Sequence, residues 1–259
     1  MALLSGMNKI VLITGASSGI GAACANKFAA AGYNLIITGR RTEKLEQLKN
    51  SLELAYAIKV LPLTFDVQDR NAVEASFTNL PEAWQSIDIL INNAGLAAGK
   101  ASFDQADLND WETMLNTNVH GLLYVSKAVV PLMIAHKKGH IINLGSTAGK
   151  EVYENGSVYC ASKFAVEAIS KGMRIDLLKH AVKVTTVHPG AVETEFSMVR
   201  FKGDKEKAAA TYAGYIPLQA ADVADTIFYC TQLPAHVCIN DLVMTCTAQA
   251  GALYLHKEL

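Results

Sequence analysis

The chain reads as an α/β protein built on one doubly wound parallel sheet with helices on both faces. Three observations predict this. Short apolar runs alternate with amphipathic segments of about 10–25 residues, the order expected of parallel βαβ units joined by right-handed crossovers. Several of the runs are apolar without a break, as strands covered on both faces must be. Finally, Gly15, Asn92, Ser146 and Pro189 all fall just past strand ends, where sheets of this kind bind ligands.

Each element has its own justification. Ile10 to Ile13 is a buried strand, followed by the glycine-rich turn Gly15 to Gly21 and a helix of small residues to Ala31, with Gly32 as its stop. Leu35 to Thr38 forms a second strand, and Thr42 caps a charged helix running to about Ala55. Val60 to Phe65 is a third strand. Asp69 opens a helix that ends near Leu80, and Ile87 to Ile91 is a fourth strand. One long helical pattern spans about Leu108 to Ala135. Ile141 to Leu144 is a strand, Ser157 to Lys179 a helix, and Val182 to Val187 a sixth strand. Residues 191–216 lack regular period apart from a short helix near Asp204 to Tyr212. Ala221 to Leu233 is helical, and Asp241 to Thr245 is a last strand. With no linker, repeat or low-complexity run, residues 1–259 are expected to form one Rossmann-like domain. Met7 offers an alternative start, in which case Met1 to Gly6 would be an extension or a frayed tail.

Composition bounds the function. Half the residues are apolar (51%), enough for a large core, and 23 basic residues face 24 acidic ones. That balance gives no electrostatic footprint for nucleic acid and no drive towards an anionic membrane. No run of about 20 uncharged apolar residues predicts a membrane span, and the N-terminus lacks the pattern of a secretory signal. The five cysteines, an odd number without CxxC spacing, read as reduced thiols in the cytoplasm. Cys160, beside Tyr159, is more readily a packing thiol than a reactive one. His120, His136, His140 and His180 show no metal-ligand spacing, His188 reads as structural, and no metal is expected.

The chemistry-bearing residues lie at the turns. Thr14-Gly15-Ala16-Ser17-Ser18-Gly19-Ile20-Gly21 follows the first strand and opens a helix. Its glycines permit a sharp turn and close backbone approach, and the helix N-terminus offers free N–H groups to a diphosphate. The spacing is GxxxGxG rather than the common GxGxxG. After the second strand stands Gly39-Arg40-Arg41, with no acid until Glu43. A carboxylate there would bind the ribose 2′-hydroxyl of NAD, whereas guanidiniums suit a 2′-phosphate, so NADP is the expected cofactor. Further on, Tyr159 and Lys163 stand four apart at the start of a helix, thirteen residues after Ser146. Residues at i and i+4 share a face. A neighbouring ammonium is expected to pull the phenol's pKa down from about 10 and fit it for proton transfer.

These motifs, with Asn92-Asn93-Ala94-Gly95, Asn118 and Pro189-Gly190, occur in the order and spacing of the short-chain dehydrogenase/reductase family, which the chain resembles over essentially its whole length. The resemblance implies direct hydride transfer between nicotinamide and a carbonyl carbon without metal. It implies Tyr159 as general acid/base, with Lys163 lowering its pKa and bonding the nicotinamide ribose. Ser146 would orient the substrate oxygen and Asn118 would hold a water in a proton relay. By the same resemblance Gly15, Ser17, Ser18, Gly19, Ile20 and Gly21 hold the diphosphate, and Arg40 and Arg41 the 2′-phosphate. Asp66 and Val67 lie near the adenine, and Asn92, Ala94 and Gly95 beside the adenosine ribose. Pro189, Gly190, Val192 and Thr194 surround the nicotinamide. The plainer alternatives are a core amide at Asn118, a cap at Asp66 and a sheet-end support at Asn92. The family also suggests a homotetramer packed through helices 108–135 and 157–179.

Residues 191–216 are the expected substrate lid. The run Thr194 to Asp204, the Gly39-Arg40-Arg41 turn and Leu233 to Val237 resemble a narrower subgroup, the NADP-dependent 3-hydroxy acid dehydrogenases that act on serine, L-allo-threonine and related compounds. Arg200, or Lys202, is placed to pair with a substrate carboxylate. Glu151 and Tyr153 are placed to meet an amine or hydroxyl. The substrate site is thus Ser146, Tyr159 and Arg200, serving a small molecule. Two other readings stand beside this one, a reductase of larger carbonyls such as 3-oxoacyl thioesters or ketones, and an NADP-binding sensor or scaffold.

Overall fold

The apolar runs become the strands of one sheet. The structure, a computed structural model, describes Gly6 and residues 8–258. Its seven-stranded sheet is built from β1 (Ile10–Ile13), β2 (Asn34–Gly39), β3 (Val60–Thr64), β4 (Ile87–Asn92), β5 (Gly139–Leu144), β6 (Val182–Pro189) and β9 (Asp241–Met244), in the order β3-β2-β1-β4-β5-β6-β9. All its pairings are parallel. The strand order reverses between β1 and β4, and a crevice opens beyond their carboxyl ends. Side chains alternate across the sheet. Val11 and Ile13 enter the core under α1 (Gly19–Ala30) and α9 (Ala220–Thr231), whereas Ile10 and Leu12 enter the core under α3 (Arg70–Thr78) and α5 (Leu122–Ala135).

Several boundaries differ from the sequence reading. Thr42 does not cap the second helix. It is the first residue of α2 (Thr42–Ala55), and Arg41 holds the cap position without a side-chain cap bond. Asp69 does cap α3, accepting from the N–H groups of Asn71 and Ala72. Gly32 follows α1 with a φ of 85°, the left-handed conformation that glycine adopts without strain. The pattern 108–135 is not uniformly α-helical. α4 (Leu108–Leu115) passes through a π-helical stretch, Asn116–Gly121, before α5 begins. By length and composition this stretch could cross a membrane, yet it lies in a layer of the fold, with α5 on α3 and β4 and α4 on α6 (Ser157–Asp176). Helix α6 ends three residues early and gives way to a 3-10 turn.

The irregular segment is more ordered than its sequence suggests. β7 (Val192–Glu193) pairs in parallel with β8 (Leu218–Gln219), which ties the two ends of the segment together. Between them lie α7 (Phe196–Arg200) and α8 (Lys205–Ala210), the second capped by Asp204. Gly6 is docked rather than frayed: its N–H donates to Ala31 O, and a Cβ there would lie 2.1 Å from the Tyr33 ring. Residues 1–5 and Met7, with the alternative start proposed there, lie outside the described residues.

Candidate active site

The glycine turn is folded by its neighbours. Thr14 Oγ1 accepts from the N–H groups of Asn93 (3.0 Å) and Ala94 (2.9 Å), and Asn93 Nδ2 donates to Thr14 O (2.8 Å) and Gly15 O (3.1 Å). These bonds clip the end of β1 to the end of β4. Gly15 has a φ of 65°, and a Cβ there would stand 3.0 Å from Ala94 Cα. A Cβ on Gly21 would lie 2.4 Å from Gly15 O, so only glycine lets α1 approach the turn. The turn opens onto a cavity of about 340 Å³ that also carries Arg40, Arg41, Asp66, Val67, Ala94 and Gly95 at one end. Ser146, Tyr159, Lys163, Pro189, Gly190, Val192 and Thr194 line the rest. A strand-end glycine cradle, helix N–H groups and two arginines in one cleft fit an elongated phosphorylated dinucleotide.

Two expected cofactor residues are not in that wall. Asn92 is buried, and its Nδ2 donates to Ser126 Oγ and Asn143 Oδ1, both at 2.9 Å. It supports the sheet end, and its neighbour Asn93 takes the place at the cleft. Gly21 is set back behind Gly15 and acts through packing. Asn118 also points inward. Its amide makes a two-way bond with the Leu96 backbone (2.8 Å each way) and donates to Ser162 Oγ (3.0 Å). Both amide hydrogens are thus engaged within the protein, and Oδ1 already accepts one bond. Asp66 holds the Gln68 N–H (3.0 Å) and meets Arg40 at 3.5 Å.

The electrostatics of the Tyr159–Lys163 pair correct the sequence reading. Burial pushes the Tyr159 phenol well above its ordinary pKa, and Tyr153 adds to the rise. The guanidinium of Arg200 and the hydroxyl of Ser146 pull in the other direction. Lys163 Nζ donates to Leu144 O at 2.9 Å, and burial lowers its own pKa to about 8. The cation that faces the phenol is Arg200, whose guanidinium carbon lies 5.1 Å from the Tyr159 ring centre. Cys160 is inert: its thiol is buried and shifted up by that burial.

Arg200 stacks beside Tyr159. Its Nη2 bonds the Tyr153 hydroxyl, its guanidinium also covers the Tyr153 and Phe196 rings, and its buried Nε has no partner. Arg200 and Tyr159 share a small hollow of about 30 Å³ with Gly99, Asp110 and Trp111. Lys202 is tied away to Asp110 at 2.9 Å. Glu151 does not face the cavity, since its carboxylate accepts from Ala252 N (2.9 Å). Tyr153 reaches the site, but through Arg200.

Two parts of the site had no sequence signal. His188 is fully buried on β6. Its Nε2 lies 2.6 Å from Asp241 Oδ1, and its Nδ1 lies 3.1 Å from Ser146 O and 3.4 Å from Ser146 N, so its tautomer decides which Ser146 backbone group it bonds. Asp241 continues to Lys150 (2.5 Å) and Lys150 to Glu167 (3.0 Å). Burial foremost keeps the pKa of His188 below its ordinary value. The second part is Glu195, at the cavity edge beside Arg41.

This fold and site define a class: the chain belongs to the short chain dehydrogenase family, whose pattern matches residues 9–205. Within it, the chain is 45% identical over 251 residues to the NADP-dependent 3-hydroxy acid dehydrogenase YdfG of Salmonella typhi, covering 96% of this chain and 100% of that one. It is 46% identical over 249 residues to sulfoacetaldehyde reductase 2 of Chromohalobacter salexigens, covering 96% and 98%. Among solved structures, the closed form of a serine dehydrogenase complexed with NADP+ superimposes with a TM-score of 0.89 at 45% identity, covering 96% of this chain and all of that one.

Proposed function

We propose that the chain is an NADP-dependent oxidoreductase that interconverts small 3-hydroxy acids, such as serine or L-allo-threonine, with their 3-oxo forms. The observation that carries this reading is the Arg200 guanidinium standing over the Tyr159 ring with a buried, unpartnered Nε. A 3-hydroxy acid carries its carboxylate two carbons from the reacting carbon, the spacing that lets one anion meet Arg200 while the oxygen meets Tyr159.

The glycine turn would hold the diphosphate, Arg40 the 2′-phosphate, and Lys163 with Gly190 and Thr194 the nicotinamide end. When bound, the nicotinamide ring supplies or accepts the hydride and, when oxidised, brings a positive charge into the site. Tyr159 takes the hydroxyl proton in oxidation and returns it in reduction. Ser146 donates to the substrate oxygen as charge builds on it, its backbone held by His188. In the free chain the phenol is kept neutral by burial, so it begins as a proton donor, the state that carbonyl reduction requires.

A second reading shares this geometry. A 2-oxoalkyl sulfonate places its anion at the same spacing, and the similarity to a sulfoacetaldehyde reductase favours it. Steady-state turnover of serine, L-allo-threonine, 3-hydroxypropionate, 2-hydroxyethanesulfonate and an uncharged alcohol, each with NADP and NAD, separates the readings. Arg200→Ala is expected to raise KM for the anionic substrates by about 10- to 100-fold and to leave the uncharged alcohol nearly unchanged. Equal effects on both would remove Arg200 from the anion site, and activity confined to bulky ketones would reject the substrate class.

We further place the enzyme in the cytoplasm, supported by five free thiols, and as a homotetramer. The tetramer is supported by exposed apolar side chains along the long helices, among them Leu115, Leu123, Phe164 and Ile175.

A further inference from the structure

The two arginines after β2 do different work. Arg40 is the free one: its side chain is 62% exposed and its contact is a long one, 3.5 Å to Asp66. Arg41 is committed. Its Nε and Nη2 donate to Ser17 Oγ (3.1 and 2.9 Å) and its Nη2 to Ser18 Oγ (2.8 Å), so it is fastened to the glycine turn. Its remaining edge, Nη1, meets Glu195 Oε2 at 2.8 Å, while Lys44 Nζ meets Oε1 of the same carboxylate at 2.9 Å. Glu195 belongs to the opposite rim, on the segment between β7 and α7, and both it and Arg41 line the cavity. Three chain segments thus meet across the mouth of the cleft.

Beyond Glu195 the chain enters the substrate side. Phe196 packs edge-on against the Tyr159 ring (centres 5.8 Å apart), and Arg200 is four residues on. The far end of α7 is held separately, by the Gly99 N–H on Arg200 O (3.0 Å) and by Lys202 on Asp110. The segment is therefore fixed at both ends, and at its cofactor-side end, beyond the β7–β8 pairing, the Glu195 carboxylate links it to the opposite rim. The Lys44 and Arg41 hydrogen bonds bring that carboxylate's pKa down to about 2, so it is charged at any pH where the protein works.

We propose that Glu195 is a positioning residue, a clasp that closes the lid over the bound dinucleotide by bridging Arg41 and Lys44, and whose opening sets the rate of cofactor exchange. Arg40, not Arg41, is left to read the 2′-phosphate. The inference rests on the dinucleotide reading of the cleft. Exposed ion pairs are individually weak, and a carboxylate shared by two cations gives a clasp that opens readily rather than a lock.

The test is release of NADPH and NADH, followed by stopped-flow fluorescence, in the wild type, Glu195→Gln, Lys44→Ala and the double variant. Amide hydrogen exchange of residues 194–203 is measured without dinucleotide. Glu195→Gln is expected to speed release of both dinucleotides by the same factor, about three- to tenfold for two exposed pairs, and to speed exchange in α7. Lys44→Ala should give a smaller change in the same direction and add nothing in the Glu195→Gln background. Unchanged release and exchange would overturn the clasp. So would tighter NADPH binding with NADH unaffected, which would mean that Glu195 competes with the 2′-phosphate for Arg41. If the wild type bound neither dinucleotide, the cofactor reading itself would fall, and the exchange arm would still decide whether Glu195 holds the lid.

Discussion

Lys163 shows what a single buried charge costs. Its pKa is lowered from 10.5 to about 8 by burial, so the folded state holds this proton less tightly than the unfolded chain does. The cost is fully present below pH 8, shrinks as the pH rises from there towards 10.5, and has gone above that range. A shift of this size corresponds to about 3 kcal/mol at neutral pH, against which the bond to Leu144 O returns about 1 kcal/mol. Lys163→Met is therefore expected to abolish turnover while unfolding at equal or higher urea concentration than the wild type near pH 7, with the difference narrowing above pH 8 and closing only above pH 10.5. A large loss of stability at neutral pH would show that the ammonium is held by compensating charge. At this scale, the identities of Ser146, Tyr159 and Lys163 were legible because their spacing is itself the motif. Their electrostatics were not, because helical spacing says nothing about burial. The i, i+4 argument put the ammonium against the phenol, whereas the folded chain turns it to a carbonyl and brings Arg200 from 41 residues away.

At the scale of elements, strands were readable from the sequence and distortions were not. Seven apolar runs became seven strands because each is long enough to declare a face. β7 and β8 are two residues each and exist only because residues 192 and 218 meet in three dimensions. The π-helical stretch is invisible for a different reason. It widens the helix by one residue while keeping the helical period on either side, and residue preference carries no mark of it. Its consequence is specific, since it places Asn118 where both polar groups of the buried Leu96 backbone can be satisfied. Asn118→Ala is expected to cost about 2–4 kcal/mol, because a buried N–H and C=O lose their partners together. As Asn118 also holds Ser162 on α6, kcat should fall more than KM rises. Urea unfolding and steady-state kinetics check this, and a neutral effect on stability would mean that water replaces the amide.

For the whole molecule, the order β3-β2-β1-β4-β5-β6-β9 explains why the site lies where it does. Every strand end that carries a motif points to one edge of the sheet, so residues spread from Gly15 to Val199 converge on one cleft. The alternation of elements made this legible before any coordinate, while the ion pairs that join residues 191–216 to the opposite rim depend on contacts between distant segments and were not. Apolar side chains are left uncovered on α4 to α6. If these are the seams of a tetramer, sedimentation should report four chains, and Phe164→Glu, at a side chain 41% exposed in the single chain, should lower the assembly state without unfolding the subunit. A wild-type monomer would refute it.

The chain from Asp241 through His188 to the peptide of Ser146 has a consequence for how the enzyme comes into being. During synthesis the glycine turn and the Asn93 that clips it have emerged by residue 95, but the carboxylate beside His188 belongs to β9. Ser146 thus waits for a residue synthesised well after it. A nascent chain can bury its first strands and gather its glycines early, yet the network behind Ser146 assembles only when β9 has joined the sheet.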